Sequence, residues 1–352
     1  MQDRSLRRAC LLLCLIPGLV AGACSREAGS PAARSAPDRA PQLADASAPR
    51  TAATNGFPRD VLLPDGSTFH AAAPAARIVP ASATAVDFVA ALVAPERVAG
   101  LPEQALEYSR LHDDALWRGH ARFRAYLAEP VLMLRPDLVI CDPWQARDTQ
   151  ERLREAGVSV LSLDEIETWA DARATLLALG EVLGAEERAR EVTADLDRRV
   201  EALRARGAAR GVRLRVMCYS NFGSAGWTAG SRTTVDEMIR LAGMENLVAA
   251  AGREGHCQVT FEDLLVFDPD VIVVSQPLKQ ESGHAGDRGG ASERLLLSEA
   301  SLADLRAVRE RRIVSLPAWL FAAGSHELVS GAEALADEVD ELLRRLAAEG
   351  RR

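Results

Sequence analysis

The chain has 352 residues, 48% hydrophobic and 26% charged, and a formal net charge of -8. Its length and apolar content suit two packed units rather than one. The acidic balance argues against a nucleic-acid partner, which calls for basic patches against phosphate.

Arg4, Arg7 and Arg8 precede an apolar run over residues 9–20, and Ala21-Gly22-Ala23 offers small residues before Cys24. The run is too short to span a bilayer and is followed by a cleavage site, so residues 1–23 read as a secretory signal peptide. Two readings of Cys24 stay open. It is the lipid-modified first residue of a bacterial lipoprotein, whose signals resemble Leu-Ala-Gly-Cys with Ala21 here in place of leucine, or cleavage after Ala23 leaves it as a plain N-terminus. Residues 24–57, rich in Ala, Pro and Ser, read as a flexible tether. Of the six cysteines, Cys141, Cys218 and Cys257 belong to the folded part, an odd number that allows at most one pair.

The folded part opens at residues 61–69, where Pro64-Asp65-Gly66 between alternating apolar residues predicts a hairpin. Arg77-Ile78-Val79 predicts a strand, and Ser82 or Thr84 would cap a helix with Val86, Val89, Ala90 and Val93 on its apolar face. A second strand is expected at 98–101. Residues 111–127 carry Trp117, His120, Phe123 and Tyr126 among Arg118, Arg122 and Arg124. These arginines read as a charged helix face in water, or as partners for an anionic ligand.

A repeat organises the remainder of the chain. Glu129-Pro130-Val131-Leu132-Met133-Leu134-Arg135-Pro136-Asp137-Leu138-Val139-Ile140 returns as Glu262-Asp263-Leu264-Leu265-Val266-Phe267-Asp268-Pro269-Asp270-Val271-Ile272-Val273, with Glu, Leu, Pro and Asp at the same offsets. In each copy a short helix, apolar at Leu132 or Leu265, is stopped by Pro136 or Pro269. An all-apolar run then predicts a strand buried on both faces of a parallel sheet. Meeting this unit twice predicts two α/β lobes of similar design with a cleft between them.

The N-terminal lobe is assigned to residues 58–167, ending in a helix at 146–156 and a strand at 158–163. Residues 168–206 read as a helical connector whose second part, 186–206, spans roughly 30 Å. The C-terminal lobe, 207–352, restarts with a strand at 214–219. A helix at 234–242 is terminated by Gly243, and a glycine-containing surface loop covers 276–290. The last strand lies at 312–316, before an amphipathic closing helix at 332–346.

Taken together, Arg77-Ile78-Val79 with Thr84, the two Pro-Asp segments, and Leu241-Ala242-Gly243-Met244-Glu245-Asn246 resemble the periplasmic binding proteins of iron-siderophore, haem and cobalamin ABC importers. The resemblance covers residues 77–346 and departs from the family at Ala85, where many members carry Glu. It implies two Rossmann-like α/β lobes with parallel sheets joined by a single long helix. It further implies a monomer that captures a chelated metal compound in the cleft and delivers it to importer transmembrane subunits. In that family, glutamates at the positions of Glu129 and Glu262 meet arginines on the paired transmembrane subunits. His256 falls where cobalamin-binding relatives place a pocket aromatic.

The aromatic residues carry the site. Ligands in α/β lobes bind beyond the carboxyl ends of parallel strands, and Trp144, Tyr219, Trp227 and Trp319 lie in or beside such loops. They are expected as pocket walls together with His256. The dispersed histidines have no metal-ligand spacing, so the protein is expected to hold no metal directly and to use no cofactor; iron or cobalt would arrive already chelated. There is no GxGxxG after a strand, no Walker loop, no HExxH and no GxSxG. Nothing in the spacing of His112, His120, Ser220 and Asp142 compels a triad, so no enzyme is expected. The rival reading is a lipoprotein that senses or stores ligand without transport.

Overall fold

The computed structural model describes residues 56–350 apart from 114, 223–224, 277–289 and 322. The signal segment, Cys24, nearly all of the tether and most of the 276–290 loop therefore lie outside the described residues. The chain enters as an antiparallel hairpin, β1 (Arg59–Leu62) and β2 (Thr68–Ala71), with Gly66 in its turn at φ +84, a backbone region open to glycine. β3 (Ile78–Pro80) leads to α1 (Ala83–Leu92), capped by Ser82 rather than Thr84, whose hydroxyl accepts from the Ala85 amide at 3.0 Å. The expected strand at 98–101 divides into a single bridge from Val98 to Ile78 and a short β4 (Leu101–Pro102), which pairs with β5 (Arg122–Phe123). Next come α2 (Ala128–Met133), β6 (Leu138–Cys141), α3 (Arg147–Glu155) and β7 (Ser159–Ser162). β3, β6 and β7 pair in that order, all parallel.

Two helices come next, α4 (Trp169–Leu183) and α5 (Glu186–Ala209). The C-terminal lobe then comprises β8 (Arg215–Cys218), β9 (Ser220–Phe222), β10 (Ala225–Ala229), α6 (Thr234–Leu241), β11 (Glu245–Asn246), β12 (His256–Val259), α7 (Phe261–Phe267), β13 (Val271–Ser275), α8 (Gly290–Ser298), β14 (Ile313–Leu316) and α9 (Leu328–Ala348). Its parallel sheet has the order β11-β8-β13-β14. Each lobe thus sets the strand after its repeat between an earlier and a later parallel strand.

Side chains alternate across both sheets as a doubly covered strand requires. In the N-terminal lobe Ile78, Leu138, Ile140 and Leu161 enter the central core, while Val79, Val139, Cys141 and Val160 enter an outer cluster. In the other lobe Val216, Cys218, Val271 and Val273 face the central core, and Met217, Tyr219, Ile272 and Val274 face outward into a second cluster.

The repeat is a structural clamp. Both short helices end with a residue in the left-handed region just before the proline, Arg135 at φ 48 and Asp268 at φ 42. The Asp after each proline then holds the start of the neighbouring strand. Asp137 accepts from the amides of Ala76 and Arg77 at 2.7 and 3.0 Å, and Asp270 accepts from the Arg215 amide at 2.9 Å. Arg77 and Arg215 return the contact, donating to the carbonyls of Arg135 at 2.9 Å and of Asp268 at 2.8 Å. These bonds compensate the left-handed residues, which otherwise cost about 1–2 kcal/mol each. The first helix buries Ala128 and Val131 and packs the half-buried Leu132 against the outer cluster, whereas the second buries Leu264 and leaves the expected Leu265 exposed. A helix this short has a single inward face, and the strand it feeds fixes which one.

The helical connector comprises two helices: Gly184, left-handed at φ 66, separates α4 from α5, and the long second part expected at 186–206 is α5, which runs on to Ala209. α4 packs back on the N-terminal lobe, and the 24-residue α5 alone crosses between lobes, a length of about 36 Å at 1.5 Å per residue. Ala189, Leu196, Val200 and Leu203 of α5 lie in the same core cluster as the inner faces of both sheets. Arg199 pairs with Glu333 at 2.6 Å and Arg210 with Asp340 at 2.9 Å, fixing α5 to the closing helix α9. Gly243 ends α6 as expected, at φ +76.

Candidate ligand-binding cleft

Between the lobes lies a cleft of about 330 Å³, within the range of small-molecule sites. Its walls come from both lobes at the carboxyl ends of the parallel strands: Ala83 and Thr84 after β3, Asp142 and Trp144 after β6, Asp164 to Ile166 after β7, Ser220 after β8, Gln276 after β13, and Ala318 and Phe321 after β14. The C-terminal lobe adds a feature absent from the described residues of the other lobe. β12, β10 and β9 form an antiparallel sheet in that order, with Trp227 opposite Gln258 and Ala229 opposite His256. Paired and alternate residues share a face, so Trp227 and His256 point the same way, and both line the cleft.

Of the residues expected as pocket walls, Trp144, Trp227 and His256 are brought together. Tyr219 is not. The pleat of β8 sends Met217 and Tyr219 to the outer face and leaves Cys218 toward the cleft. Tyr219 is 1% exposed and supports the antiparallel sheet from beneath, so close to Gly226 that a Cβ there would lie 2.7 Å from its ring. Trp319 is also not on the wall. In the single turn Ala318–Phe321, positions i and i+3 share a face; Ala318 and Phe321 reach the cleft, and Trp319, between them, is half-buried. Arg122 and Arg124 do not serve the cleft either. Arg122 donates to the Trp117 carbonyl at 2.7 Å, and Arg124 pairs with Glu103 at 3.1 Å on a surface that is not helical.

Residues that the aromatic signal did not point to include Tyr108 and Phe321, and two buried carboxyls, Asp87 and Asp142. Burial pushes Asp142 up to about 7, offset in part by the Ser82 hydroxyl, and its Oδ1 has no hydrogen-bond partner among the described residues. Asp142 stands immediately after a buried strand, two residues from Trp144, so the carboxyl-end rule could have found it. Asp87 is pushed up to about 8 by burial and then by Glu327. Its Oδ2 accepts from Ser325 of the other lobe at 2.8 Å, and its Oδ1 from the Arg110 amide at 3.1 Å. Beside it His326, 5.4 Å from the Phe88 ring, is lowered to about 4 by burial. His256 is likewise lowered by burial, which favours a neutral imidazole in the cleft wall.

Further contacts join the lobes around the cleft. Arg232 donates to Glu167 at 2.7 Å, and Gly324 lies so near Thr84 that a Cβ would come within 2.8 Å of its hydroxyl. Among the described residues no three His, Cys, Asp or Glu side chains are grouped to hold a metal ion. Cys141, Cys218 and Cys257 are thiols. Outside the cleft, Glu129 near the start of α2 and Glu262 near the start of α7 are both exposed.

A family model described as periplasmic binding protein matches residues 118–320. The chain belongs to the periplasmic binding protein family. It is 24% identical over 216 residues to an uncharacterized ABC transporter substrate-binding lipoprotein, YvrC, of Bacillus subtilis, covering 60% of this chain and 64% of that one. It is 28% identical over 228 residues to a cobalamin-binding protein of Halobacterium salinarum, covering 59% of each chain. The chain thus spans about three fifths of the length of these curated relatives. Among solved structures, a periplasmic haem-binding protein from Pseudomonas aeruginosa superposes with a TM-score of 0.62 at 27% identity, over 74% of this chain and 91% of that one.

Proposed function

We propose that this protein is the extracytoplasmic substrate-binding component of an ABC importer, capturing a chelated metal compound between its lobes. The observation that carries the reading is the aromatic cleft at the carboxyl edges of both sheets, with Trp144 from one lobe and Trp227 and Phe321 from the other. Flat aromatic surfaces suit the rigid apolar flank of a large chelate. The cobalamin-binding and haem-binding relatives support a corrinoid, haem or ferric siderophore as the ligand class. The metal would come inside its chelate, held by the donor atoms of the corrinoid, haem or siderophore itself. The lipoprotein relative supports an anchor through Cys24, and the protein would act as a monomer. Glu129 and Glu262 would meet basic groups on the importer's transmembrane subunits, a two-point charged contact that sets orientation.

Titration of tryptophan fluorescence with cobinamide, cyanocobalamin, haemin and ferric hydroxamates tests the ligand. Saturable quenching by one class is expected, and no saturation with any would sink the reading. Glu129→Ala with Glu262→Ala should leave the quenching intact and sharply reduce uptake of that ligand, most at low salt.

A further inference from the structure

The carboxyl groups that line the cleft sit on one wall. Asp87, Asp142, Asp164 and Glu165 all belong to the N-terminal lobe, and among the described residues the one cation of the lining is Arg232 of the other lobe. That guanidinium is already engaged, donating to Glu167 at 2.7 Å. Asp164 and Glu165 are exposed and form no ion pair among the described residues. The facing wall offers Trp227 and a His256 that burial keeps neutral.

Asp142 ties this charge to a bound molecule. It is 3% exposed, and no donor among the described residues reaches its Oδ1. A covered acceptor without a donor is costly unless a bound group supplies one. The fold does not ask for a carboxyl at this point. Asp142 stands five residues after the clamp residue Asp137, and five residues after the equivalent Asp270 stands Ser275, also on the cleft wall. Asp87 differs from Asp142, since Ser325 and the Arg110 amide satisfy its two oxygens.

We propose that the acidic N-terminal wall selects a neutral or positively charged chelate edged with amide or amine N–H groups, Asp142 accepting from one of them, and rejects chelates edged with carboxylates. A carboxylate brought against Asp142, Asp164 and Glu165 would meet like charge, with Arg232 already committed to Glu167, and specificity is set as much by such repulsion as by attraction. An N–H edge instead satisfies Asp142 and leaves the apolar flank of the ligand to Trp227. This preference rests on the reading of the cleft as a chelate site. It narrows that reading to amide-rimmed corrinoids and amine-bearing ferric hydroxamates, against the propionates of haem.

Pairs of chelates that differ only in their edge groups test this by tryptophan quenching at about pH 7.5, above the value of about 7 to which burial moves Asp142. The pairs are cyanocobalamin and its monocarboxylic acid, with one side-chain amide hydrolysed; a ferric trihydroxamate with a terminal amine and the same chelate succinylated there; and haemin with both propionates converted to amides and haemin itself. In whichever pair saturates, the amide or amine member should bind about tenfold tighter than the carboxylate member, or more. The gap should shrink in Asp142→Asn and in Asp164→Asn with Glu165→Gln, each checked for folding by circular dichroism. It should persist in Glu151→Gln with Glu155→Gln, exposed acids of α3 outside the cleft lining. Equal affinities within a pair, tighter binding of the carboxylate member, or a gap untouched by the cleft variants would overturn the charge preference and leave the chelate site standing. No saturation by any of the six chelates would overturn the chelate reading, and the preference with it.

Discussion

The two lobes share a scaffold and differ in what they build on it. Both have the Pro-Asp clamp, a doubly buried central strand and a short helix with an exposed glutamate. In the N-terminal lobe β3 passes almost directly to α1 through the Ser82 cap. In the C-terminal lobe the corresponding step, from β8 to the Thr233-capped α6, is interrupted by β9 and β10, which with β12 carry Trp227 and His256 to the cleft. The repeated parts stabilise each lobe. The inserted part supplies much of one binding wall, so ligand preference can change there without disturbing either sheet.

The strongest way to break this comparison is at glycines that differ between lobes. A Cβ at Gly230 would overlap the carbonyl of Arg253, a backbone atom held by the Ser231 amide at 3.0 Å just before β12. Gly230→Ala should cost about 3 kcal/mol or more and abolish any ligand-induced quenching of tryptophan fluorescence. At Gly100 in the N-terminal lobe the obstacle is mainly the flexible Leu134 side chain, so Gly100→Ala should cost about 1 kcal/mol. Urea titrations of both variants check the order; equal costs would mean that the Arg253 backbone gives way as readily as the Leu134 side chain.

A smaller effect sharpens the shared clamp. Asp270→Ala should cost about 2 kcal/mol and Asp137→Ala about 1, because a carboxylate accepting amides is worth this much when partly buried and less where water replaces it. Asp137 is exposed and Asp270 half-buried, with Arg215 at 3.3 Å and Arg306 at 3.7 Å. Chemical denaturation should show both losses; a neutral result in one lobe alone would end the equivalence.

The contact between lobes titrates. Asp87, ordinarily near 3.8, is raised to about 8, so the folded state holds its proton more tightly and the stability it contributes is lost as pH rises through 8. His326 acts oppositely, lowered from 6.5 to about 4, so its penalty falls as pH rises from 4 to 6.5. Between pH 6.5 and 8 the histidine no longer contributes. Melting temperature should then decline with pH in the wild type and decline less in Asp87→Asn, with the Ser325 hydroxyl still available as a partner. Parallel profiles for the two proteins would show that Asp87 is not the group responsible.

The smallest effects concern signal rather than stability. Trp144→Phe and Trp227→Phe should each remove part of the ligand-induced quenching, one from each lobe, while Trp319→Phe leaves it largely unchanged. A dominant loss from Trp319→Phe would place the ligand outside the cleft.

What the sequence determined by itself is what local chemistry enforces. A strand covered on both faces needs an unbroken apolar run, and a helix feeding it needs a stop. Thus Leu138 to Ile140, Val271 to Val273, Pro136 and Pro269 announced two α/β lobes, and their carboxyl ends pointed to Trp144 and Trp227. Tertiary structure decided whatever depends on facing and on distance along the chain. The pleat of β8 removed Tyr219 from the wall, and one turn of helix exchanged Trp319 for Phe321. The antiparallel sheet joined residues 220–229 to 256–259 across an intervening helix. Asp87 met Ser325 from 238 residues away, and its protonation is set by burial between two lobes, a quantity that no stretch of sequence contains.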